Sequence, residues 1–400
     1  MKKIFTIFFA SLVLFSSCTK EDDPVFDKTP EERLRGTLSE YKTKLTNEDG
    51  LWITYYYGNA ILMKFSQDNT VEFQSTFNGG LDDRTITYRV GASQVPELIF
   101  ENHSVFHAIY EQNLNEAEYE FLFDKIHDNQ IDFISKTDLG ANKTKLSFFK
   151  ATSEDLVAYE KMNKNFGEMS FFKTLLIEGT DFNADFINFP GEVTLKFTNT
   201  EGINQVTKHP FEVTKNGLLF NPSVEINGAL YSSFVYDEAS SQFVSEGDGP
   251  KAIIAITQNI PKSEAGIYEE YLGVNYRILQ VASYQLRDIM PAIKTAAPWV
   301  RDFFFWSDGY SLCHAPGFSG GNWSGWIFNY QQLPEDNNQL LVTWDYRVYG
   351  NWWQTVLNNP GGQKLQTFML DPKGLYIYRY KENSFVIISN SDPSQYLLVE

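Results

Sequence analysis

Aromatic and polar side chains near the carboxyl end are the residues best suited to bind a ligand. Seven of the eight tryptophans lie between residues 299 and 353. Flat aromatic rings stack on the apolar C–H faces of sugars, while amide and charged groups bond to the hydroxyl groups. The predicted ligand-binding residues are Trp323, Asp345, Arg347, Asn351, Trp353 and Gln354.

The same aromatic residues have a second interpretation, as the core of a domain. Trp323 and Trp326 are spaced i, i+3, and Trp344 and Tyr346 are spaced i, i+2. Such spacings also place rings inside a packed fold, where tryptophan contributes a large share of the buried area. The sequence leaves both interpretations open.

No residue pattern identifies a catalytic centre. The sequence contains no GxSxG nucleophile elbow, no phosphate-binding loop and no Rossmann glycine pattern. His103 and His107 are spaced i, i+4, but the HExxH pattern of a zinc protease is missing, and two histidines alone are incomplete ligation. We therefore predict no metal site and no cofactor.

A hydrolase that uses two carboxyl groups is the alternative that would involve chemistry. Such an enzyme needs two acids roughly 5–10 Å apart in a cleft. The chain has 51 acidic residues, so the sequence does not single out a pair. The catalytic residues of this alternative stay unknown.

The first residues predict export. Two lysines precede an apolar stretch, Ile4–Phe15, which is shorter than the ~20 residues of a membrane-spanning helix. Residues 1–17 are therefore a predicted signal peptide. Two serines and then Cys18 resemble a bacterial lipobox, which implies that Cys18 is acylated and that lipid anchors the mature chain. The alternative is an ordinary secreted protein.

Charged residues follow this cysteine, from Lys20 to Asp23. A lysine followed by acidic residues resembles the surface-export signal of Bacteroidota lipoproteins. It implies a location on the outer membrane, facing the cell exterior. The alternative is that the charges only begin a solvated linker. Residues 18–28 are predicted to be a lipidated linker.

The second cysteine, Cys313, is predicted to be structural. An acylated Cys18 leaves Cys313 without an intramolecular disulfide partner. Free cysteine is among the most buried residue types, so we expect Cys313 to be buried. His314 beside it would point to the opposite face of a strand.

The charge balance makes nucleic acid an unfavourable partner. The chain has 33 basic and 51 acidic residues, a formal net charge of −18. Removal of the signal peptide takes away two lysines, so the mature charge is (33 − 2) − 51 = −20. A surface of this charge repels phosphate backbones.

Two helices are predicted from capping residues. The segment TPEERLRGTLSEYKTKL starts with Thr29 as N-cap and Pro30 as the first helical residue, and Glu32 completes a capping box. A second helix is predicted over Ser153–Lys164, with Ser153 as its cap.

From Gly50 onward the apolar residues mostly recur with a period of two. Runs such as WITYYY, TVEFQS and QIDFIS are separated by Asn, Asp and Gly turn signals. This pattern predicts a mainly β (α+β) protein of tandem antiparallel meanders, curled into sandwiches or barrels, with a few short helices. The predicted modules are residues 29–164, residues 165–262 and an aromatic-rich module of residues 263–400.

Four short segments of the first module recur in the same order in the second. The pairs are Ile61–Phe65 with Val193–Phe197, Thr87–Val90 with Pro210–Val213, Glu97–Phe100 with Gly217–Phe220, and Phe121–Asp124 with Phe234–Asp237. A third echo is Met369–Tyr378. The preserved order indicates an internal repeat. The alternative is that all β-meanders look alike in so few residues.

Residues 1 to 240 resemble a family of Bacteroidota outer-membrane lipoproteins of unknown function. The resemblance rests on the lipobox, the first helix and the segments GLWITYYY, ILMKF and EYEFLFD, the last running into QIDFISKTDLGAN. Such proteins tend to be encoded near outer-membrane nutrient importers with SusC and SusD components. The resemblance therefore implies an accessory binding role with importer components as partners, and it brings no catalytic residues.

Together these patterns predict a binding protein rather than an enzyme. The expected ligand is a nutrient polymer, glycan or peptide, or a partner in an uptake complex. The alternatives are the hydrolase and a structural spacer. Binding predicts exposed, convergent rings beside polar groups, whereas a spacer predicts no such site.

Overall fold

The computed structural model describes most of the chain after the predicted linker. The described residues are 28–93, 95–113, 117–137, 144–189, 191–199, 201–261, 266–274, 276–333 and 339–400, with the backbone only for residues 276–281. The predicted signal peptide, Cys18 and the acidic segment after it lie outside this part. None of the described helices is both long and apolar enough to cross a membrane.

The strands form three closed antiparallel barrels of eight strands each, in chain order. The prediction of a mainly β protein built from tandem antiparallel meanders is confirmed, and the modules are barrels. The predicted boundary after residue 164 lies between the last strand of the first barrel and the first strand of the second, and the predicted boundary after residue 262 lies outside the described residues. Closure removes the free edges that an open sheet would expose.

Barrel 1 is built from the strands between Leu51 and Lys150. They are β1 (Leu51–Tyr56), β2 (Asn59–Phe65), β3 (Thr70–Ser75), β4 (Thr85–Ala92), β5 (Pro96–Phe100), β6 (Phe121–Ile126), β7 (Gln130–Ser135) and β8 (Lys145–Lys150). Strand β8 pairs with β1 to close it.

Barrel 2 is built from the strands between Phe172 and Ile256. They are β9 (Phe172–Ile177), β10 (Asn183–Phe189), β11 (Glu192–Thr198), β12 (Asn204–Val213), β13 (Gly217–Ile226), β14 (Ala229–Asp237), β15 (Gln242–Ser245) and β16 (Ala252–Ile256). Strand β16 pairs with β9 to close it.

Barrel 3 is built from the strands between Tyr276 and Val399. They are β17 (Tyr276–Ala282), β18 (Asp302–Trp306), β19 (Tyr310–His314), β20 (Trp323–Gln332), β21 (Gln339–Tyr349), β22 (Leu375–Lys381), β23 (Ser384–Ser389) and β24 (Tyr396–Val399). Strand β17 pairs with β24 to close it.

Short helices flank or plug the barrels. They are α1 (Pro30–Thr46), α2 (Val105–Gln112), α3 (Asp155–Glu168), α4 (Ile267–Gly273), α5 (Ile289–Ala296), α6 (Trp353–Leu357) and α7 (Pro360–Met369), with a 3₁₀ turn at Phe77–Gly80. The capping box of Thr29 and Glu32 at the start of α1 is confirmed.

The predicted start of the helix after barrel 1 is wrong. Helix α3 begins at Asp155 and its N-cap position is Glu154, so Ser153 does not cap it. The reason is that the Asp155 carboxylate accepts the backbone N–H of Thr152 at 3.1 Å and its hydroxyl at 2.9 Å. These bonds close a turn before the helix, and the helix then continues four residues beyond the predicted end, Lys164.

Three of the four repeated segment pairs occupy equivalent strands of barrels 1 and 2. They are β4 with β12, β5 with β13, and β6 with β14. The first pair is out of step by one position, because Ile61–Phe65 lies in the second strand of barrel 1 and Val193–Phe197 in the third strand of barrel 2. The third echo enters β22, which is again a sixth strand.

Helix α3 joins barrels 1 and 2. Tyr159 packs on the outer face of β1 and β2, against Ile53 and Tyr55. Met162 and Phe166, three and seven residues further along the same side of the helix, belong to the core of barrel 2. One short amphipathic helix therefore covers the outside of one barrel and fills the end of the next.

Barrels 2 and 3 meet through an apolar cluster of outward-facing residues. Its buried members are Phe171, Phe172, Ile187, Phe189, Tyr376, Tyr378, Val386, Ile388 and Leu398. Strand β23 is consequently buried along its whole length. The run FVIIS is continuously apolar because both faces of that strand are covered.

Trp52 ties α1 to barrel 1 and allows a test of the packing. Its ring is fully buried, and its Nε1–H donates to the carbonyl of Leu45 at 2.8 Å. Changing Trp52 to Phe removes this bond and part of the buried ring, so we expect the free energy of unfolding, measured by urea denaturation, to fall by about 1–3 kcal/mol.

Trp299→Phe is the matched control, because Trp299 is 40% exposed. We expect that variant to change the free energy of unfolding by less than about 0.5 kcal/mol. Equal effects of the two variants would contradict the packing described for Trp52.

Candidate functional site

Outward-facing rings of barrel 3 form the first candidate site. Phe303, Phe305, Cys313 and Trp326 point inward and are buried. Because side chains alternate along a strand, their neighbours on β18, β19 and β20 point outward. We define the aromatic face as the outward rings Trp306, Tyr310, His314, Trp323 and Tyr349, together with Tyr346 on β21.

Five of these rings form a continuous row. Trp323 stacks on His314 with ring centroids 4.3 Å apart, and Trp306 lies 5.4 Å from Trp323. Tyr310 continues the row at 6.0 Å from Trp306 and 5.7 Å from Tyr349. Tyr349 is 46% exposed, whereas the other four rings are half-buried. The row therefore consists of four rings that are packed on their neighbours and a fifth, Tyr349, that is exposed to solvent.

Tyr346, the most exposed ring of the aromatic face, lies at a bulge in β21. Tyr346 is 81% exposed and has a left-handed backbone with φ of 65°. A bulky residue in that conformation is strained and needs support from its neighbours. The Asp345 carboxylate accepts the backbone N–H of Arg347 at 2.8 Å and its Nε–H at 2.6 Å. This clamp brackets Tyr346 on both sides.

The clamp also fixes the charges beside the aromatic face. The hydrogen bond from the Arg347 side chain lowers the pKa of Asp345, and the same bond raises the pKa of Arg347. Asp345 is therefore ionised at neutral pH. It is suited to accept hydrogen bonds from hydroxyl groups, and it is unsuited to act as a general acid.

The structure separates the six predicted ligand-binding residues into two places. Trp323, Asp345 and Arg347 belong to the aromatic face or border it. Asn351 follows Gly350, whose backbone lies against the Trp323 carbonyl, and its Nδ2 donates to the Gly320 carbonyl at 3.3 Å. Trp353 and Gln354 instead begin α6. Among the described rings, none makes a ring contact with Trp353.

Part of the tryptophan cluster is core, as the second interpretation held. Trp326 is 1% exposed and Trp352 is 6% exposed. The Trp352 indole donates to the Gly321 carbonyl at 3.0 Å, which fastens the loop before β20 to the segment after β21.

Sequence reasoning missed Trp306, Tyr310, Tyr346 and Tyr349 as candidates. Along their strands these residues alternate with buried ones, and the sequence shows this period of two. The period identifies the outward rings only once it is known which residues of each strand face the barrel interior.

Cys313 and the two spaced histidines have structural roles. Cys313 is buried, as predicted, and burial raises the pKa of its thiol far above the ordinary value. His107 Nδ1 accepts the backbone N–H of Ser104 at 3.2 Å, which caps α2. His103 precedes the helix and pairs with Glu111 at 3.2 Å. Within the described residues, no three His, Cys, Asp or Glu side chains are grouped as metal ligands.

A cleft between barrels 1 and 2 is the second candidate site. It encloses about 510 Å³. Barrel 1 contributes the β1–β2 turn and strand β8, and barrel 2 contributes the starts of β11 and β13 and the end of β12. The principal lining side chains are Tyr55, Tyr56, Tyr57, Lys145, Phe149, Glu192, Phe211, Glu212 and Asn221.

Glu212 links the two walls of this cleft. Its Oε2 accepts the backbone N–H of Gly58 at 3.0 Å, and the N–H of Tyr57 also hydrogen-bonds to the carboxylate. Both turn residues have positive φ, 49° at Tyr57 and 69° at Gly58. A two-residue hairpin of that kind directs adjacent amides outward, where one carboxylate can accept them.

Burial dominates the protonation of Glu212. It raises the pKa to about 7, and the two turn amides only partly oppose the shift because they favour the ionised form. Hence a carboxyl group that is protonated below neutral pH and ionised above it lies in the cleft. Perturbed groups in clefts are candidates for functional sites.

Further hydrogen bonds hold this joint. Tyr159 donates its hydroxyl to the Gly58 carbonyl at 2.7 Å, and Tyr55 OH accepts the backbone N–H of Lys215 at 3.1 Å. Lys215 also forms an ion pair with Asp155. The position of the cleft walls is therefore fixed by polar contacts from both barrels and from α3.

Comparison with known families identifies the family to which the chain belongs. The profile of the family described as "Domain of unknown function (DUF4302)" matches residues 22–238. The chain belongs to this family. The DUF4302 region contains barrel 1 and the first six strands of barrel 2, so it includes the whole cleft. The aromatic face lies outside it. No curated protein matches the chain significantly.

Some solved structures share a long, weak alignment with the chain. The DNA polymerase III β chain from Streptococcus pneumoniae is 10% identical, with 92% of this chain and 97% of that chain covered and a TM-score of 0.17. A putative DNA polymerase III β subunit from Eubacterium rectale is 9% identical, with 92% and 96% covered and a TM-score of 0.19. At such scores the likeness supports no conclusion about fold or function.

The raised pKa of Glu212 makes stability depend on pH. Its folded-state value of about 7 lies above the ordinary 4.5, so the folded protein binds more protons than the unfolded chain between these values. The stability contributed by the protonated group is fully present below pH 4.5 and is lost as the pH rises through 7, by about 3 kcal/mol over the whole range and about 2 kcal/mol of it between pH 5 and pH 7.

Glu212→Gln keeps an acceptor for the Gly58 amide without the charge. We expect the melting temperature of this variant, relative to the parent, to be higher at pH 8 than at pH 5. Glu192→Gln is the control, because Glu192 is paired with Lys208 at 3.1 Å. The same relative melting temperature at both pH values would contradict the burial of an ionisable Glu212.

Proposed function

We propose that the protein is a non-catalytic binding protein that holds a glycan chain on the aromatic face of barrel 3. The observation that carries the proposal is the exposure of two tyrosines of β21: Tyr349 ends the row of packed rings, and Tyr346 lies three residues before it on the same strand. Large exposed aromatic side chains are costly in water, and clusters of them are typical of interaction sites.

The groups around the rings fit a sugar polymer. Tyrosine and tryptophan rings offer flat faces for the C–H faces of sugars, and the row of rings extends over several side chains. The ionised Asp345 and the Arg347 guanidinium supply an acceptor and donors for hydroxyl groups at the exposed end. This arrangement combines apolar contact with a few directional polar groups.

A glycan is favoured over an extended peptide at this face. Strands β19 and β20 each pair with a neighbour on both sides. Their backbone groups are therefore engaged, and a peptide would have no strand edge here to extend. Side-chain rings are the principal recognition surface that remains.

The proposal includes the cellular setting predicted from the sequence. The mature chain would be attached through an acylated Cys18 to the outer membrane, on the cell exterior, as in the Bacteroidota lipoproteins that it resembles. There it would present the glycan to the components of an outer-membrane nutrient importer. The support for this setting is the sequence of the first 23 residues, together with membership of a family of unknown function.

The hydrolase and spacer alternatives have weaker support at this face. Asp345 is paired with Arg347 and ionised, so it does not supply the protonated acid that glycoside cleavage requires. A spacer has no use for Tyr346, which is strained and exposed. Both observations favour binding.

The glycan proposal is tested by removing the exposed rings. We expect Tyr346→Ala and Tyr349→Ala each to weaken binding to the recognised polysaccharide by about 1–2 kcal/mol, or roughly 5- to 30-fold. The measurement is affinity electrophoresis or calorimetry with a panel of soluble polysaccharides and, as a second arm, unstructured peptides.

Leu81→Ala is the control, because Leu81 is 83% exposed on barrel 1, far from these rings in the chain. It should bind like the parent. Binding that is unchanged in both tyrosine variants, or binding of peptides alone, would contradict the proposed site.

A further inference from the structure

Glu212 is an acidic group of the cleft between barrels 1 and 2 that lacks a counter-ion. Among the described residues, no lysine, arginine or histidine forms an ion pair with it. Its contacts are the neutral amides of Gly58 and Tyr57. An ionised carboxylate in an apolar setting is costly unless a positive charge compensates it.

The other charged groups of the cleft are already accommodated. Glu192 pairs with Lys208 at 3.1 Å. Lys145 lies on barrel 1 with an exposed side chain that is free to remain in water. The uncompensated charge of the cleft is therefore localised at Glu212.

Aromatic side chains form much of the remaining wall. Tyr55, Tyr56 and Tyr57 line it from barrel 1, together with Phe149, and Phe211 lines it from barrel 2. Aromatic faces attract organic cations, and the attraction increases where water is excluded. The formal net charge of −18 also favours the approach of cations over anions.

We propose that this cleft binds a primary ammonium group on an apolar or sugar carbon skeleton, with Glu212 as its counter-ion and the aromatic wall against the skeleton. The site is separate from the aromatic face and does not rest on glycan binding there. Such an ammonium group occurs both in amino sugars and in aliphatic or aromatic amines.

Protonation of Glu212 gives the site a pH signature. Ammonium binding requires the ionised carboxylate, so affinity should rise up to about tenfold per pH unit between pH 5 and 7 and level off above pH 7. Other charged or titratable groups near the cleft also change with pH or set its field. They are Tyr55, Lys145, Asp155, Tyr159, Glu192, Lys208, His209 and Lys215. The Glu212→Gln variant separates their contribution from that of Glu212.

The test is calorimetric titration of the purified full chain with 2-phenylethylamine and glucosamine, and with their neutral counterparts 2-phenylethanol and glucose. We expect at least one amine to bind, its neutral counterpart to bind at least tenfold more weakly, and Glu212→Gln to lose at least tenfold in affinity. The preferred amine identifies the source as a sugar or a hydrocarbon skeleton.

Glu225→Gln is the acidic control and should keep amine binding within about twofold, because Glu225 is exposed on β13 and is not among the residues that line the cleft. Lys145→Met should keep or strengthen binding, since it removes a positive charge from the opposite wall. Melting curves of the variants establish that each is folded. No binding of either amine, equal binding of the neutral counterparts, or unchanged affinity and pH profile in Glu212→Gln would overturn the proposal.

Discussion

Closure of each eight-stranded sheet is the constraint on which the rest of the structure depends. A small closed barrel must fill its interior with side chains, so every second residue of each strand is committed to the core. The outward residues are then the only ones available for interfaces and binding. Where they are apolar, something has to cover them or they form an exposed patch. In this chain, both outcomes occur, and they distinguish the joints from the candidate sites.

The joints between barrels cover two clusters of outward apolar residues. Tyr55 is covered by α3 and by barrel 2, and Phe172 is covered by β22 of barrel 3. On β18–β21 the outward rings pack on one another and leave Tyr346 and Tyr349 exposed. The cleft lies between these two extremes. Barrels 1 and 2 are in contact beside it but are separated within it, so that aromatic side chains line a space around Glu212. The DUF4302 region includes the cleft and excludes the aromatic face, so two members could share the first site without sharing the second.

The sequence predicted the fold class because local patterns and global architecture agree. Alternation in TVEFQS gives one buried face, and the β3 burial pattern follows it residue by residue. The start of α3 could not be predicted, since Asp155 bonds to Thr152 in a turn that competes with the expected serine cap. Glu212 was also unpredictable from its sequence neighbours. Its raised pKa depends on Tyr57 and Gly58, which are about 150 residues away in the chain and meet it only when two barrels pack.

We propose that the outward rings of barrel 3 bind ligand while those at the barrel joints do not. Hydroxyl-radical footprinting with and without the recognised polysaccharide measures this difference directly. Without ligand, Tyr346 and Tyr349 should react readily and the covered Tyr376 and Tyr378 should not, given their burial. With ligand, protection should appear at Tyr346, Tyr349 and Trp323 and nowhere at the joints. Protection that is confined to other surfaces would contradict ligand binding at these rings, and strong labelling of Tyr376 and Tyr378 in the free protein would contradict the burial of the joint between barrels 2 and 3.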